Sequence, residues 1–464
     1  MAARRPSKKV RRRRLAAGLF CLILFAGLIA GGVWLVQRIM AADGPLPPAN
    51  SAPVVNPTSA TTAETTRPTD PPDPTIRPVA SATVVNTGDI LIHSPLLSNA
   101  AQSDGSYVFD PLFSVVKPYV EAADFATINL ELSLPGSNYS GFPRFRTPDS
   151  LVDALLTAGF DLVTTANNHS NDGGADGFLR TMQVLQQKGL PFIGTRPAEQ
   201  DKPYRVEQIG PVAVGMINYT YGTYLQDGRK ALNGIACSTV TSPLVNMFDA
   251  GDLPRFYAEM EAALAAMRQD GAEVLVVYIH WGNEYRLTTT AVQRNIAQKL
   301  CDMGVDVIVG SHPHVVEPVD VLHSDVSGKN TLCVYSMGNA ISNQRIQFMD
   351  DVKSGHTEDG MLFSFTMTKY TDGSVRVTGA DILPTWVHLY SEGSKRIYQI
   401  VPLDKSVEDW TVFGLNKSKT GLADAQKSYD RTMKIISEGL ETFRQHFAAQ
   451  QQALDEKNAR LLAG

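Results

Sequence analysis

The stretch "VDVIVGSHPHVVEP", residues 305–318, decides how this chain is read. An apolar run ends directly in two histidines, His312 and His314, which straddle Pro313. The run has the composition of a buried strand. The imidazoles at its end are then either metal ligands at the mouth of a site or a polar turn. The rest of the chain has to decide between them.

Other apolar runs end the same way. "AEVLVVYIHWG" (272–282) reads as a central strand of a sheet covered on both faces and closes on His280. "ATVVNTGD" (82–89), "ADFATINLE" (123–131) and "FDLVTTANNHS" (160–170) run into Asp89, Glu131, and Asn168 with His169. "KNTLCVYSMGN" (329–339) ends at Asn339. Helical patterns lie between the runs. "DSLVDALLTAG" (149–159) has Asp149 or Ser150 as N-cap and Gly159 as its stop, and "DLPRFYAEMEAALAAMRQDG" (252–271) and "TTAVQRNIAQKLCDMG" (289–304) follow. This alternation predicts an α/β or layered α/β/α domain. Further on, "GMLFSFTMTKYTDGSVRVTGADIL" (360–383) reads as a hairpin turning at "TDG". A polar, helix-favouring tail runs from about 422 to 462, and the sequence leaves open whether it packs on the domain.

The N-terminal part is of another kind. Residues 1–14 hold eight Lys or Arg and no acid, so the remainder carries −13 of a net charge of −5. A folded part this acidic argues against nucleic acid as a partner. Residues 15–37 are uncharged and proline-free, long enough to span a bilayer as one helix. The flanking cations keep the N-terminus cytoplasmic and place everything after Trp34 outside. A cleaved signal peptide, with "MAAD" as its cleavage site, is the competing reading, but its apolar core would be shorter. Residues 43–80, rich in Pro, Thr and Ser, read as a disordered spacer. The expected layout is thus a basic tail (1–14), a membrane anchor (15–37), a linker (43–80), a main domain (81–345), a C-terminal β extension of it (346–405) and a helical tail (420–464). Cys237, Cys301 and Cys333 lack CxxC spacing and imply neither a disulfide framework nor a thiolate zinc site.

In sheets with crossover helices, loops at the carboxyl ends of the strands converge on one crevice. Five strand ends bearing Asp89, Glu131, Asn168, His280, and His312 with His314 would therefore meet. Each has an ordinary alternative: Asp89 a turn residue, Glu131 a solvated carboxylate, Asn168 a helix cap, His280 a core histidine. Their joint occurrence favours a centre for a divalent cation such as manganese, zinc or iron, held by nitrogen and oxygen. His323, His356, His388 and His446 read as surface or structural, and His93 as a group behind the ligands.

The segments "TGDILIH", "INLELSL", "FRTPDSLVDALLTAGFDLVTTANNHSNDGG", "HWGNEY", "GSHPHVVEPV" and "YSMGNAISN" together resemble the bacterial capsule-synthesis CapA family, over about residues 82–343. Members of that family take part in making or exporting poly-gamma-glutamate. CapA domains in turn resemble calcineurin-like metallophosphoesterases, which implies a four-layered α/β/β/α sandwich around one or two metal ions. On this resemblance Asp89, Glu131, Asn168, His280, His312 and His314 match ligands, with Glu131 in the bridging place, and His169 is the residue that would protonate a leaving group. The pattern also departs: Leu91 stands where a ligand histidine is expected, and Ser170 where an acid follows "GNH". Arg144, Arg146, Glu284 and Asn339 are substrate-contact candidates, with Glu284 and Tyr285 placed to orient His280 and Asp172 to cap a helix. The resemblance implies membrane attachment, an anionic capsule polymer and capsule synthase membrane proteins as partners. The alternatives are an extracellular metal-dependent hydrolase of phosphoester or amide bonds unrelated to capsule, and a metal-free polymer-binding module.

Overall fold

The computed structural model describes residues 74–350 and 352–463. The basic tail, the anchor at 15–37 and nearly all of the spacer lie outside the described residues. Among the described residues no helix is long and apolar enough to cross a membrane.

Two large sheets carry the fold. The first holds β1 (Pro78–Ile90), β2 (Phe125–Leu130), β3 (Leu162–Thr164) and β4 (Phe192–Ile193). The second holds β5 (Tyr204–Ile209) and β6 (Val212–Tyr221). A small three-stranded sheet follows, of β7 (Thr223–Tyr224), β8 (Lys230–Leu232) and β9 (Ile235–Ala236). The chain then completes the second sheet with β10 (Met247–Phe248), β11 (Val274–His280), β12 (Val307–Ser311), β13 (Val319–His323) and β14 (Asn330–Val334). It returns to the first sheet with β15 (Asn339–Ile341), β16 (Asp359–Tyr370), β17 (Val375–Glu392) and β18 (Lys395–Pro402). The strand orders are β18-β17-β16-β1-β2-β3-β4, with β15 also on β1, and β10-β6-β11-β12-β14-β13, with β5 on β6. β1, β2, β3 and β4 are parallel, as are β6, β11, β12 and β14. Their carboxyl ends are where the predicted ligands lie.

Side-chain alternation shows the layering. Val274, Val276 and Tyr278 of β11 join a core with Ala82 and Val84 of β1 and Phe363 and Phe365 of β16, so this core lies between the sheets. Leu275, Val277 and Ile279 face the other way, toward α5 (Leu253–Gln269) and α6 (Ala291–Asp302), which supply Phe256, Met260, Ile296 and Leu300. On the far face of the first sheet, Ile128 and Leu130 pack with α1 (Ser94–Ala100) and α3 (Ser150–Ala158), beyond the short α2 (Lys117–Val120), and with Val184 and Leu185 of α4 (Gly174–Lys188). The result is the α/β/β/α arrangement.

Two expectations shift. The spacer's last residues are already structured, because Pro78–Ala80 open β1 and Ile76 is buried and exchanges two hydrogen bonds with Asn458 (2.7 and 2.9 Å). The β extension at 346–405 joins the first sheet, with β16 as the antiparallel neighbour of β1. Asp149 precedes α3 without capping it, and its carboxylate instead takes both terminal nitrogens of Arg180 (2.7 Å each). The tail, left open above, forms α7 (Gly421–Ala463) and packs. Its Ile436, Leu440 and Phe443 enter the inter-sheet core, and Arg431 grips the Asp359 carboxylate with two bonds (2.6 and 2.7 Å). Gly439 is required there, since a Cβ would lie 1.8 Å from the Val319 carbonyl oxygen.

Helix α6 starts with a capping box between Thr290 and Gln293, and Gln293 also donates to the buried Glu317 (2.7 Å). The other Glu317 oxygen has no hydrogen-bond partner, and burial pushes this carboxyl up to about 7 from 4.5. The folded state therefore holds the proton more tightly than the unfolded chain, and stability declines as pH rises from about 4.5 through 7. Glu317→Gln should give a stability advantage that is small at pH 5 and grows to as much as about 3 kcal/mol at pH 8. Denaturant titrations at both pH values check it, and a gain independent of pH rules out this origin.

Candidate metal centre

Each predicted ligand arrives where an apolar strand ends. Asp89 is the penultimate residue of β1, Glu131 follows β2, Asn168 and His169 follow β3, His280 closes β11, and His312 and His314 follow β12. Gly88 lets β1 approach β15: a Cβ there would sit 1.9 Å from the Gly338 carbonyl oxygen, to which Asp89 donates its backbone N–H (3.1 Å).

All six side chains are buried and brought together. Donor atoms of Glu131, His280 and His312 lie within 4.8 Å of one another, as do those of Asp89, Glu131 and His314. Glu131 is common to both triads, the geometry of a bridging carboxylate. Asn168 Oδ1 is 2.8 Å from His280 Nε2 and adds an oxygen to the first triad. The second triad gains nothing from Leu91, whose side chain belongs to the apolar core outside the first sheet.

Asp89 accepts from Asn129 (2.7 Å) and from the His312 backbone N–H (3.2 Å), and His314 Nδ1 is 3.3 Å away. Burial acts to raise its pKa, but the His314 contact and the charges of His314 and His280 prevail and hold it below the ordinary value. Glu131 differs: neither carboxylate oxygen has a hydrogen-bond partner, and burial, reinforced by Asp89, pushes its pKa well up. Burial drives His280 down to about 3 and His312 well below its usual value. His314 goes the other way, to about 9, because Glu131 and Asp89 outweigh its burial. His312 Nδ1 is also buried without a partner.

Two orphaned carboxylate oxygens and an orphaned imidazole nitrogen facing further nitrogen and oxygen donors fit a divalent cation, since such groups are costly to bury unless they coordinate. Other groups fix the ligands from behind. His280 Nδ1 meets Ser311 (2.9 Å), and His314 Nδ1 meets Asn339 Oδ1 (3.1 Å).

Several roles change. Asn339 donates to the His314 carbonyl, Gln344 and Thr357, so it positions His314 and has no amide hydrogen left for substrate. Glu284 is grouped with His312 and His314 as a possible ligand rather than as the residue orienting His280. Tyr285 receives a hydrogen bond from Gln344 (3.1 Å). Asp172 does not cap α4: its carboxylate is 2.7 Å from His169 Nδ1 and accepts the Phe145 N–H (2.6 Å). Phe145 stands edge-on to His169 and His93 (4.7 and 4.9 Å between ring centres). His93 Nδ1 lies between the Leu91 carbonyl (3.1 Å) and the Asn343 N–H (3.2 Å) and bonds one or the other according to its tautomer. Arg144 is exposed, whereas Arg146 is half-buried beside Ser133 with its buried Nε unpartnered.

Residues 83–344, more than half of the chain, match the family described as bacterial capsule synthesis protein PGA_cap. The chain belongs to this family. Two Bacillus relatives agree. The PGA biosynthesis protein CapA of Bacillus subtilis (strain 168) is 26% identical over 310 residues, 66% of this chain and 72% of that protein. The capsule biosynthesis protein CapA of Bacillus anthracis is 26% identical over 276 residues, 56% of this chain and 60% of that protein. Among solved structures, purple acid phosphatase PPD1 from yellow lupin seeds aligns with a TM-score of 0.34 at 14% identity, covering 65% of this chain and 53% of that one. A score that low carries no argument. The case for a metal centre in this PGA_cap domain rests on its own geometry.

Sequence reasoning missed Asn129 and Tyr221. Asn129 carried a signal, because it lies two residues before Glu131 on the same strand face. Tyr221 carried none: sheet pairing alone brings its ring to 4.6 Å from that of His312, tilted against it, and parallel to that of His280 at 6.3 Å.

Glu131→Gln should reverse sign with metal. Without metal it removes a buried unpartnered carboxylate and raises the melting temperature. It should also erase the stabilisation that divalent metal gives the wild type, about 2.7 kcal/mol at a hundredfold excess over the dissociation constant. Melting curves with chelator and with added manganese or zinc check both halves, and equal metal stabilisation of variant and wild type removes Glu131 from the ligand set.

Proposed function

We propose that this protein acts in the synthesis, export or anchoring of an anionic capsule polymer of the poly-gamma-glutamate type, through a metal-dependent site at the carboxyl ends of its two sheets. The observation that carries the chemistry is Glu131, a fully buried carboxylate without a hydrogen bond inside a ring of three imidazoles and Asp89. Family membership and the names of the two Bacillus relatives support the capsule role. The uncharged run at 15–37 supports a single-pass anchor in the cell membrane, with a cytoplasmic N-terminus, the domain outside, and capsule synthase membrane proteins as neighbours.

Asp89, Glu131, Asn168, His280, His312 and His314 would hold one or two ions of manganese, zinc or iron. When bound, such an ion polarises the scissile group and makes bound water acidic. The chain's own residues supply the remainder. His169 moves a proton at Nε2, because Asp172 fixes its Nδ1 at 2.7 Å and Phe145 limits its tilt. In a hydrolytic step water oxygen would bond to the substrate carbonyl carbon or phosphorus and release a proton to solvent, the bond to the leaving group would break, and His169 would give its proton to that group and regain one from solvent. Arg146, half-buried with an unpartnered Nε, would be the residue to meet a substrate carboxylate.

Complementation of a deletion strain is the test. Wild type should restore the polymer, whereas Glu131→Gln should not at equal protein level. With the purified protein, His169→Asn should lower cleavage of gamma-glutamyl or phosphodiester substrates by about 10² to 10⁴. Asp172→Asn should do so less and shift the pH profile. Full complementation by Glu131→Gln sinks the metal-dependent reading.

A further inference from the structure

A cavity of about 750 Å³ lies apart from the metal centre, between α5 and the segment carrying β8, lined by Arg196, Tyr219, Lys230, Asn246, Arg255 and Glu259 among others. The two places are neighbours through β6. Tyr219 lines the cavity, and Tyr221, on the same strand face about 7 Å further along, packs its ring against those of His312 and His280. A second tie runs through Asn171, next to the His169 loop, whose amide donates to the Ala236 carbonyl of β9 (3.2 Å).

The charges on the wall are not balanced. Arg229 pairs with Asp227 (2.7 Å) and Arg255 with Glu259 (3.1 Å). Arg196 and Lys230 have no ion pair among the described residues. The Arg196 guanidinium donates to Asn246 Oδ1 (2.8 Å) and the Pro243 carbonyl, and its buried Nε meets nothing. Lys230 donates to the Val245 carbonyl (2.6 Å), and burial draws it down to about 8. Two half-buried cations satisfied by neutral oxygens are electrostatically poor unless an anion joins them. Asp227, Glu199 and Glu259 on the same wall disfavour a multiply charged anion such as phosphate and suit a singly charged carboxylate.

We propose that this cavity is a carboxylate-binding subsite, in which Arg196 and Lys230 hold an acidic unit of the substrate while an adjoining part of it lies at the metal centre. The choice of an acidic polymer rests on the function proposed above; the cation pair does not.

Calorimetric titration of the full-length protein with a gamma-linked glutamate decamer, free glutamate and inorganic phosphate tests the proposal. The wild type should bind a carboxylate probe more tightly than phosphate. Lys230→Gln and Arg196→Gln should each weaken that binding about tenfold or more, and Arg229→Gln, already paired, by much less. Lys230→Gln costs the fold one hydrogen bond, so with a native melting curve it decides the matter even where Arg196→Gln does not fold. Unchanged affinity in Lys230→Gln, a preference for phosphate, or no binding of either carboxylate probe overturns the subsite. Binding of free glutamate that the variants lose, without binding of the decamer, upholds the subsite and defeats the polymer reading.

Discussion

A carboxylate buried without a hydrogen bond costs several kcal/mol even after its surroundings relax. Glu131 is such a group, and the arrangement around it makes sense as a device for holding it there. Most of the neighbouring donors are fixed by a second contact, His312 being the exception. Asp89 is held by Asn129 and the His312 N–H, His280 by Ser311, His314 by Asn339, and His169 by Asp172. Side chains secured this way cannot swing over to satisfy Glu131, which is relieved either by a proton, the direction in which burial drives its pKa, or by an ion.

Two sheets are needed for this, because no single strand edge carries enough donors. The first sheet brings Asp89, Glu131 and Asn168, and the second brings His280, His312 and His314. The apolar core between the sheets sets their separation, and the glycine contact at Gly88 sets how closely β15 lies against β1. The backbone at the meeting point is strained. His312 and His314 adopt φ of 100° and 57°, conformations that cost side-chain-bearing residues about 1–3 kcal/mol each. That strain turns both imidazoles inward, and the β12 ladder and the inter-sheet core maintain it.

The sequence is legible where local pattern and chemistry coincide. Apolar runs ending in Asp, Glu, Asn or His announce both a buried strand and what it delivers, so all six ligand candidates could be named in advance. What depends on distant pairing was not legible. Nothing local says that β16 lies beside β1, that α7 seats Phe443 between the sheets, or that Tyr221 reaches His312. Asn339 and Asp172 show the same limit at residue scale: each was noticed as polar, but whether a side chain meets substrate, caps a helix or steadies a histidine depends on what lies within 3 Å of it.

The asymmetry of the centre bears on its chemistry. The side built on Glu131, His280, His312 and Asn168 has four donors, whereas the side built on Asp89 and His314 shares Glu131 and has Leu91 turned into the core. Glu131 and Asp89 draw His314 up to about 9 against the effect of its burial. With its Nδ1 3.3 Å from Asp89 and 3.1 Å from Asn339 Oδ1, this imidazole has one nitrogen left for an ion, so the first side is the better furnished of the two.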